Sequence, residues 1–416
     1  MRWIQSHPLL TVVLVAGVLR VVAAVGLQRY LDDVAHKQFL IAGDADGYWQ
    51  LAETIRNGEP YAVYDPPRYL LRTPGFPAIL AGAMTIGNGS PLIVRIVLAL
   101  IGTTACGLTF LLGRQLAGEA VGLLAGLYVA VSPLQVGFSV LVLSETAFAV
   151  PMIGSLMAAI VLAKTDFQTQ LPRGLLFAGI AGSLIGLAVL IRPVWLPMGI
   201  VFASLCVFVG RFRVRSWLVA ATIVGSMVFV LLPWTIRNWK LTGQPIMTAL
   251  WSGPSLYDGL NPHATGASDM RFIEEDGLLD ELSEAELNQH YWQAAWKYAA
   301  ENPGRSIELA FLKVGRLWSP WLNAAEARSW LVQLPIVVAA LMLFGFAVVG
   351  AWLNRRNVLL LGVTIGPALF VSAVHTLFVG SVRYRLPVEF PLAILAATGV
   401  QYVWCSRRHE DMEVAR

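Results

Sequence analysis

Charge is what this chain has least of. Asp, Glu, Lys and Arg together supply 13% of its 416 residues, against about 25% in a soluble globular domain. So few charged groups cannot cover a water-facing surface, which excludes an ordinary soluble fold. Cysteine is almost as scarce. Cys106 and Cys206 fall inside apolar runs and Cys405 ends one, which excludes a disulfide framework and offers no metal-type spacing. There is no P-loop, no GxGxxG after a strand, no HExxH and no GxSxG, so no motif calls for a cofactor. No paired DxD stands on a predicted cytoplasmic loop. No internal repeat or low-complexity tract is visible. The net charge of +4 and a pI near 9.0 speak first of membrane topology, not of nucleic acid.

What is abundant is hydrocarbon: 56% of residues are hydrophobic and the mean hydropathy is +0.64. A spanning helix needs roughly 20 apolar residues. Such runs lie at 8–28, 92–112, 120–138, 141–163, 174–191, 194–210, 216–234, 331–352, 358–378 and 387–405. They predict an all-α membrane protein of about ten transmembrane helices, one polytopic domain over 1–416. The first run, Pro8 to Leu27, is long for a signal-peptide core and reads as an uncleaved helix. The run "FPAILAGAMTIG" at 76–87 is too short to span and reads as an interfacial or re-entrant helix.

Basic residues in the short loops set the orientation. Arg2, Arg114, Lys164, Arg173, Arg211, Arg213, Arg215, Arg355, Arg356, Arg407 and Arg408 alternate with the helix count, which puts both termini in the cytoplasm. The long loops 29–90 and 235–330 then face outside, and they hold 7 and 12 of the 26 acids. In the second loop "SEAE" at 283–286 is a capping box. An apolar stripe of Leu287, Tyr291, Ala294, Ala295 and Tyr298 follows until "ENPG" ends it, and Pro303 opens a second amphipathic helix. These are surface-lying helices of a cap, rich in interfacial Trp and Tyr.

Three groups of residues stand out as chemistry. Asp44 and Asp46 lie in "GDADGYWQLAETIRNG", just after a helix end and just before an amphipathic helix that begins with Tyr48 and Trp49. Loop acids are ordinarily solvated, but a helix lying flat on the bilayer would hold these against lipid headgroups. Glu145 sits in "FSVLVLSETAFAVPM". An ionisable group so near the bilayer is a functional candidate by default, with a macrodipole-stabilised helix start as the plain alternative. The third group is arginine on the acidic side: Arg68, Arg72, Arg192, Arg237, Arg383 and Arg385. Any one could snorkel, but several at one boundary suggest a phosphate site, because guanidinium binds phosphate through paired charged hydrogen bonds. His375 in "SAVHTLFVG" has no second ligand at helical spacing and reads as a hydrogen-bonded core or groove residue. His263 and His290 show no metal spacing, and "NGS" at 88–90 is uninformative by pattern alone.

These stretches, in their order, resemble the membrane glycosyltransferases of the GT-C fold. The likeness is to bacterial relatives of the dolichyl-phosphate-mannose protein mannosyltransferases and of the lipid A aminoarabinose transferase. It rests on "GDADGYWQLAETIRNG", "RTPGFPAILAGAM", "VSPLQVGFSVLVLSET", "GLAVLIRPVWLP", "LLPWTIRNW", "ENPGRSIELAFLKVGRLW" and "VRYRLPVEFPLAILAATGV". The resemblance implies transfer of a sugar from a polyprenyl-phosphate carrier to a protein, lipid or glycan acceptor outside the cytoplasmic membrane. It also implies that Asp44, four residues before Tyr48, is the catalytic base and that Glu145 is the acid of the second outer loop. Where such families often show Pro-Pro-Gly-Tyr-Pro, this chain has Thr73-Pro74-Gly75-Phe76-Pro77 after Arg72. Two rival readings use the same residues. A transporter or flippase of a lipid-linked sugar would favour midplane charge and inverted repeats. A non-catalytic assembly subunit would make Asp44 dispensable.

Overall fold

A computed structural model describes residues 6–322 and 329–414, with side chains to 404. Arg2 and the side chains of Cys405, Arg407 and Arg408 lie outside the described residues. Among the described residues all regular structure is helical, apart from one antiparallel bridge between Val63 and Arg68. Helix α1 (Pro8–Tyr30) starts on a proline, which suits a first turn that needs no N–H, and runs on through a π-helical turn at Leu31–Ala35. The first long loop carries α2 (Asp44–Asn57) and α3 (Gly75–Ile86). Then come α4 (Pro91–Ala117), α5 (Glu119–Val131), α6 (Pro133–Phe138), α7 (Glu145–Ala163), α8 (Leu171–Ile191), α9 (Pro197–Val209) and α10 (Val214–Thr242). The second long loop holds α11 (Ser252–Gly259), two four-residue helical turns, α12 (Glu284–Glu301) and α13 (Pro303–Leu317). Four helices complete the order: α14 (Trp330–Leu353), α15 (Val358–Thr364), α16 (Gly366–Val374) and α17 (Val382–Val414).

Seven of these are long and apolar enough to cross a membrane: α1 with its π turn, α4, α7, α8, α10, α14 and α17. The other three expected spans are shorter or interrupted. The residue before a proline is pushed out of the helical region, and Ser132, at φ −57° and ψ 119°, separates α5 from α6 in this way. The 194–210 run is a short helix, a tighter turn at Pro193–Trp195 followed by α9, and Ile365 separates α15 from α16 two residues before Pro367. A broken helix in an apolar setting must have its freed carbonyls satisfied. The fully buried Arg20 does this for α5, donating to Val129 O at 2.9 Å and to Ala130 O at 3.1 Å. The chain is a multi-pass, all-α membrane protein.

The last helix is the axis of the bundle. α17 packs against α4, α5, α7 and α14, and its close approach to α14 depends on glycine in both. A Cβ on Gly350 would stand 2.0 Å from Leu395 O, and one on Gly399 would stand 2.4 Å from Phe346 O. Small residues of this kind are how helices come together without a hydrophobic driving force between them. The outward sides of α1, α10 and α14 expose Val18, Val22, Phe229 and Val348, apolar surface that suits lipid.

The two long loops meet at one end of the bundle. Leu250 N donates to Leu70 O at 2.7 Å, and the Glu284 carboxylate accepts from Tyr69 N at 2.6 Å and Leu70 N at 2.9 Å. Arg68 reaches across to Leu279 O. The expected capping box is present: Ser283 Oγ accepts from Glu286 N, and the Glu286 carboxylate accepts from Ser283 N at 3.0 Å. The glycine contact gives a direct prediction. Gly350→Leu should lower thermal stability in detergent by about 1–3 kcal/mol, the usual cost of overpacking, or prevent folding. Gly345→Leu, on the same helix with nothing within 4 Å of its Cβ position, should change it little.

Candidate active site

Five separate stretches of chain supply the side chains that gather where the loops meet. Asp44 is the first residue of α2, a helix start that favours negative charge, and Gly43 before it turns the chain at φ 72°. Arg72 stands in the loop before α3. Gly75 is what lets that loop press onto the end of α8, since a Cβ there would lie 2.5 Å from Leu190 O. That contact packs the Arg72 loop against the end of α8, where Arg192 turns extended ahead of Pro193. Ser144 and Glu145 open α7. Arg383 lies in the first turn of α17, where a cation gains nothing from the helix dipole and needs carboxylates instead.

Together they close a ring. Asp44 Oδ1 accepts from Arg72 at 2.6 Å, and Asp44 Oδ2 accepts from Arg383. Arg383 Nε lies 3.4 Å from Glu145 Oε1, which also takes Arg192 at 2.7 Å. Arg192 donates to Ser144 Oγ at 3.0 Å, and Ser144 Oγ lies 3.3 Å from the Tyr48 hydroxyl. The Arg72 guanidinium stacks over the Tyr48 ring at 4.4 Å and so returns to Asp44. Tyr384 carries both remaining cations on its ring, Arg383 at 4.8 Å and Arg192 at 5.4 Å. Burial by itself would raise the Asp44 pKa; the guanidinium groups of Arg72 and Arg383 override it and hold the carboxyl well below its usual range.

Three guanidinium groups, those of Arg72, Arg192 and Arg383, face two carboxylates, those of Asp44 and Glu145. One positive charge is therefore uncompensated within the ring. Two polar atoms are also spare: Arg72 Nε and Glu145 Oε2 are buried with no hydrogen-bond partner among the described residues. The arrangement can receive one negative charge by exchanging it for the internal pairs. Both carboxylates are held by arginine, and no group of three His, Cys, Asp or Glu gathers among the described residues.

The other residues singled out from the sequence are placed elsewhere. Asp46 turns back to accept from Gly43 N at 3.0 Å, a helix-capping contact outside the ring. The Arg68 head is spent on Leu279 O. Arg237 clamps the first loop, donating to Tyr69 O at 2.8 Å and Tyr61 O at 2.9 Å. Arg385 is fully buried and points away from Arg383, to Glu389 at 2.7 Å and Leu317 O at 3.0 Å. His375 ends α16 with Nδ1 2.7 Å from Val379 O, and its ring stacks on Tyr384 at 4.6 Å. It borders the ring without joining it. Sequence reasoning passed over Tyr384, although it stands between two flagged arginines in "VRYRLP". It also missed Glu284, whose backbone contacts carry no sequence signature.

No family model matches this chain, and no curated protein matches it. Solved structures do. The oligosaccharyltransferase of Archaeoglobus fulgidus in its apo form aligns with a TM-score of 0.57 and 17% identity, over 100% of this chain and 53% of that one. The same organism's oligosaccharyltransferase AglB, in complex with an inhibitory peptide and a dolichol-phosphate, aligns at 0.52 and 17%, over 100% and 52%. ArnT from Cupriavidus metallidurans bound to undecaprenyl phosphate aligns at 0.45 and 15%, over 94% and 77%, too distant to argue from. This chain spans about half the length of the oligosaccharyltransferases it matches. Its fold is the GT-C fold.

The lowered pKa of Asp44 has a consequence for acid stability. A carboxyl whose folded pKa lies below its unfolded value, about 4, stabilises the fold above that pH. The contribution is lost as pH falls toward the folded value. Unfolding of wild type and Asp44→Asn in detergent should therefore differ at neutral pH, with the difference shrinking below about pH 4. A difference that stays constant down the acid range would contradict the pairing.

Proposed function

We propose that the protein is an integral-membrane glycosyltransferase that moves a sugar from a polyprenyl-phosphate carrier to an acceptor on the outer face of the cytoplasmic membrane. The observation that carries this reading is the Asp44 ring, with its surplus of one guanidinium, where both long loops of a GT-C fold converge. A sugar held on a single lipid phosphate is a phosphodiester with one negative charge, which equals that surplus.

In the resting state Asp44 is a poor base, because two guanidinium groups stabilise its ionised form. The donor phosphate competes for those same groups. Once Arg383 and Arg72 turn to the phosphate, the carboxylate loses the charges that depress its pKa and regains ordinary basicity. It then takes the proton from an acceptor hydroxyl or amine. As that O–H or N–H bond breaks, the acceptor atom bonds to the anomeric carbon from the face opposite the phosphate. The bond from that carbon to the phosphate oxygen breaks, and its electron pair leaves with the lipid phosphate. The configuration inverts. Charge developing on the leaving phosphate falls among Arg72, Arg192 and Arg383, and stabilisation of that kind is usually the largest single contribution to rate. Glu145, buried and bound to Arg192 and Arg383, keeps two cations together and offers its free oxygen to a sugar hydroxyl. The apolar tail would lie along the bundle.

Two substitutions test the assignments separately. Asp44→Asn keeps the size but removes the base, and transfer of labelled sugar by the purified protein should fall about 10²–10⁴-fold. Transfer close to wild type would remove Asp44 from the role of base, whereas no transfer by the purified wild type would favour a transporter or a non-catalytic subunit. Arg383→Ala should raise the KM for the donor lipid at least about tenfold, the weight of a charged hydrogen bond. An unchanged donor KM, read from initial rates against donor concentration, would unseat Arg383 as a phosphate ligand.

A further inference from the structure

Tyr64 belongs to the first long loop and is used by nothing described so far. Its backbone has φ 67°, the left-handed region that a bulky residue seldom enters and that glycine would occupy without strain. The turn that imposes this conformation is closed on both sides. Val63 N donates to Arg68 O at 3.1 Å, and Arg68 N donates to Val63 O at 2.9 Å. Packing does not repay the strain, since Tyr64 remains 49% exposed. A strained residue whose ring is half in solvent is held for something other than the core, and such residues concentrate at ligand sites.

The ring reaches toward the Asp44 site. A Cβ built on Gly47 would stand 2.7 Å from the Tyr64 hydroxyl and 3.4 Å from Arg72 Nε. The bare Cα of Gly47, one turn into α2 from Asp44, is therefore what allows the hydroxyl and the guanidinium edge to come together. Neither is answered by an acceptor: Arg72 Nε is buried without a partner, and no hydrogen bond of the Tyr64 hydroxyl is found among the described residues. Two donors on the face of one glycine, one of them buried without a partner, beside a site with spare positive charge, describe half of an oxyanion receptor.

We propose that Tyr64 is a substrate-binding residue, whose hydroxyl and the Arg72 Nε–H together receive a non-bridging oxygen of the lipid-borne phosphate. The proposal rests on the reading of the site as a phosphate-sugar site and adds a ligand to it. The phosphate oxygen supplies the acceptor that both donors lack, the ring covers the head group, and the left-handed backbone is the cost of holding the ring there.

The test is binding by the purified full-length protein in detergent, with farnesyl phosphate, farnesol and inorganic phosphate as probes. Wild type should bind farnesyl phosphate in preference to both others. Tyr64→Phe should weaken farnesyl phosphate about tenfold, as loss of one hydrogen bond to a charged group does, and leave farnesol unchanged. Gly47→Ala, whose methyl displaces the hydroxyl without deleting it, should weaken it likewise. Tyr64→Gly relieves the backbone, so its melting temperature should equal or exceed that of wild type while affinity falls. A purely structural Tyr64 gives the reverse, a lower melting temperature with affinity intact. Wild-type affinity in Tyr64→Phe overturns the role of Tyr64 and leaves the phosphate-sugar reading standing. Equal binding of farnesyl phosphate and farnesol, or of farnesyl phosphate and inorganic phosphate, by the wild type overturns both.

Discussion

One carboxylate shared between two arginines organises this protein's loop end. Asp44 lies 28 residues from Arg72 and 339 from Arg383, so the fork exists only when the first loop and the last helix are both in place. Glu145 is buried, with 2% of its side chain exposed, while Asp44, Arg72, Arg192 and Arg383 keep 20–29%, so the attraction is partly screened and the loss of hydration is greatest at Glu145. The cluster is tolerable because every charge in it has an opposite within reach. It is useful because the balance is off by one. A site whose internal pairs are good but not complete can exchange a partner for a ligand at little net cost, and that is the physical basis of the functional reading.

The parts that hold the ring are themselves buried polar groups with a different task. Arg95 donates to Gln28, Val140 O and Gln38 O within 3.0 Å, and so fixes the segment that leads to Ser144 and Glu145. Gln135 binds Leu386 O and Glu389 at 3.0 Å each, tying α6 to the turn of α17 just beyond Arg383. Arg237 from below and Glu284 from above grip the backbone at Tyr69 and Leu70, and Arg72 follows directly. The carbonyls and amides of irregular backbone must be satisfied where water is absent. These side chains meet that need and in doing so set the ring's geometry.

Much of the fold was legible because a bilayer makes simple demands. Long apolar runs, proline at helix starts and the "SEAE" cap translated directly into α1, α4, α7, α8 and α12. The interruptions at Ser132 and Ile365 were less visible, since composition stays apolar through both and only Pro133 and Pro367 mark them. The site was half legible. Asp44 and Asp46 look alike in sequence, two residues apart at one helix start, yet a rotation of roughly 200° about the helix axis sends one to the arginines and the other back to Gly43 N. The six arginines of these stretches look alike too. Three converge, and the other three stabilise backbone.

By itself the sequence determined the class: a membrane-embedded helical chain with its acids gathered in two long loops, because partition into lipid depends on composition and local periodicity. Tertiary structure decided which charges meet. That Arg72, Arg192 and Arg383 face Asp44 and Glu145, while Arg68, Arg237 and Arg385 do not, depends on helix packing. The close approach of Gly75 to Leu190 O and of Gly350 to Leu395 O shows how tightly that packing is specified. Coulomb attraction acts through distance in space, which residues far apart along the chain acquire only when the bundle closes.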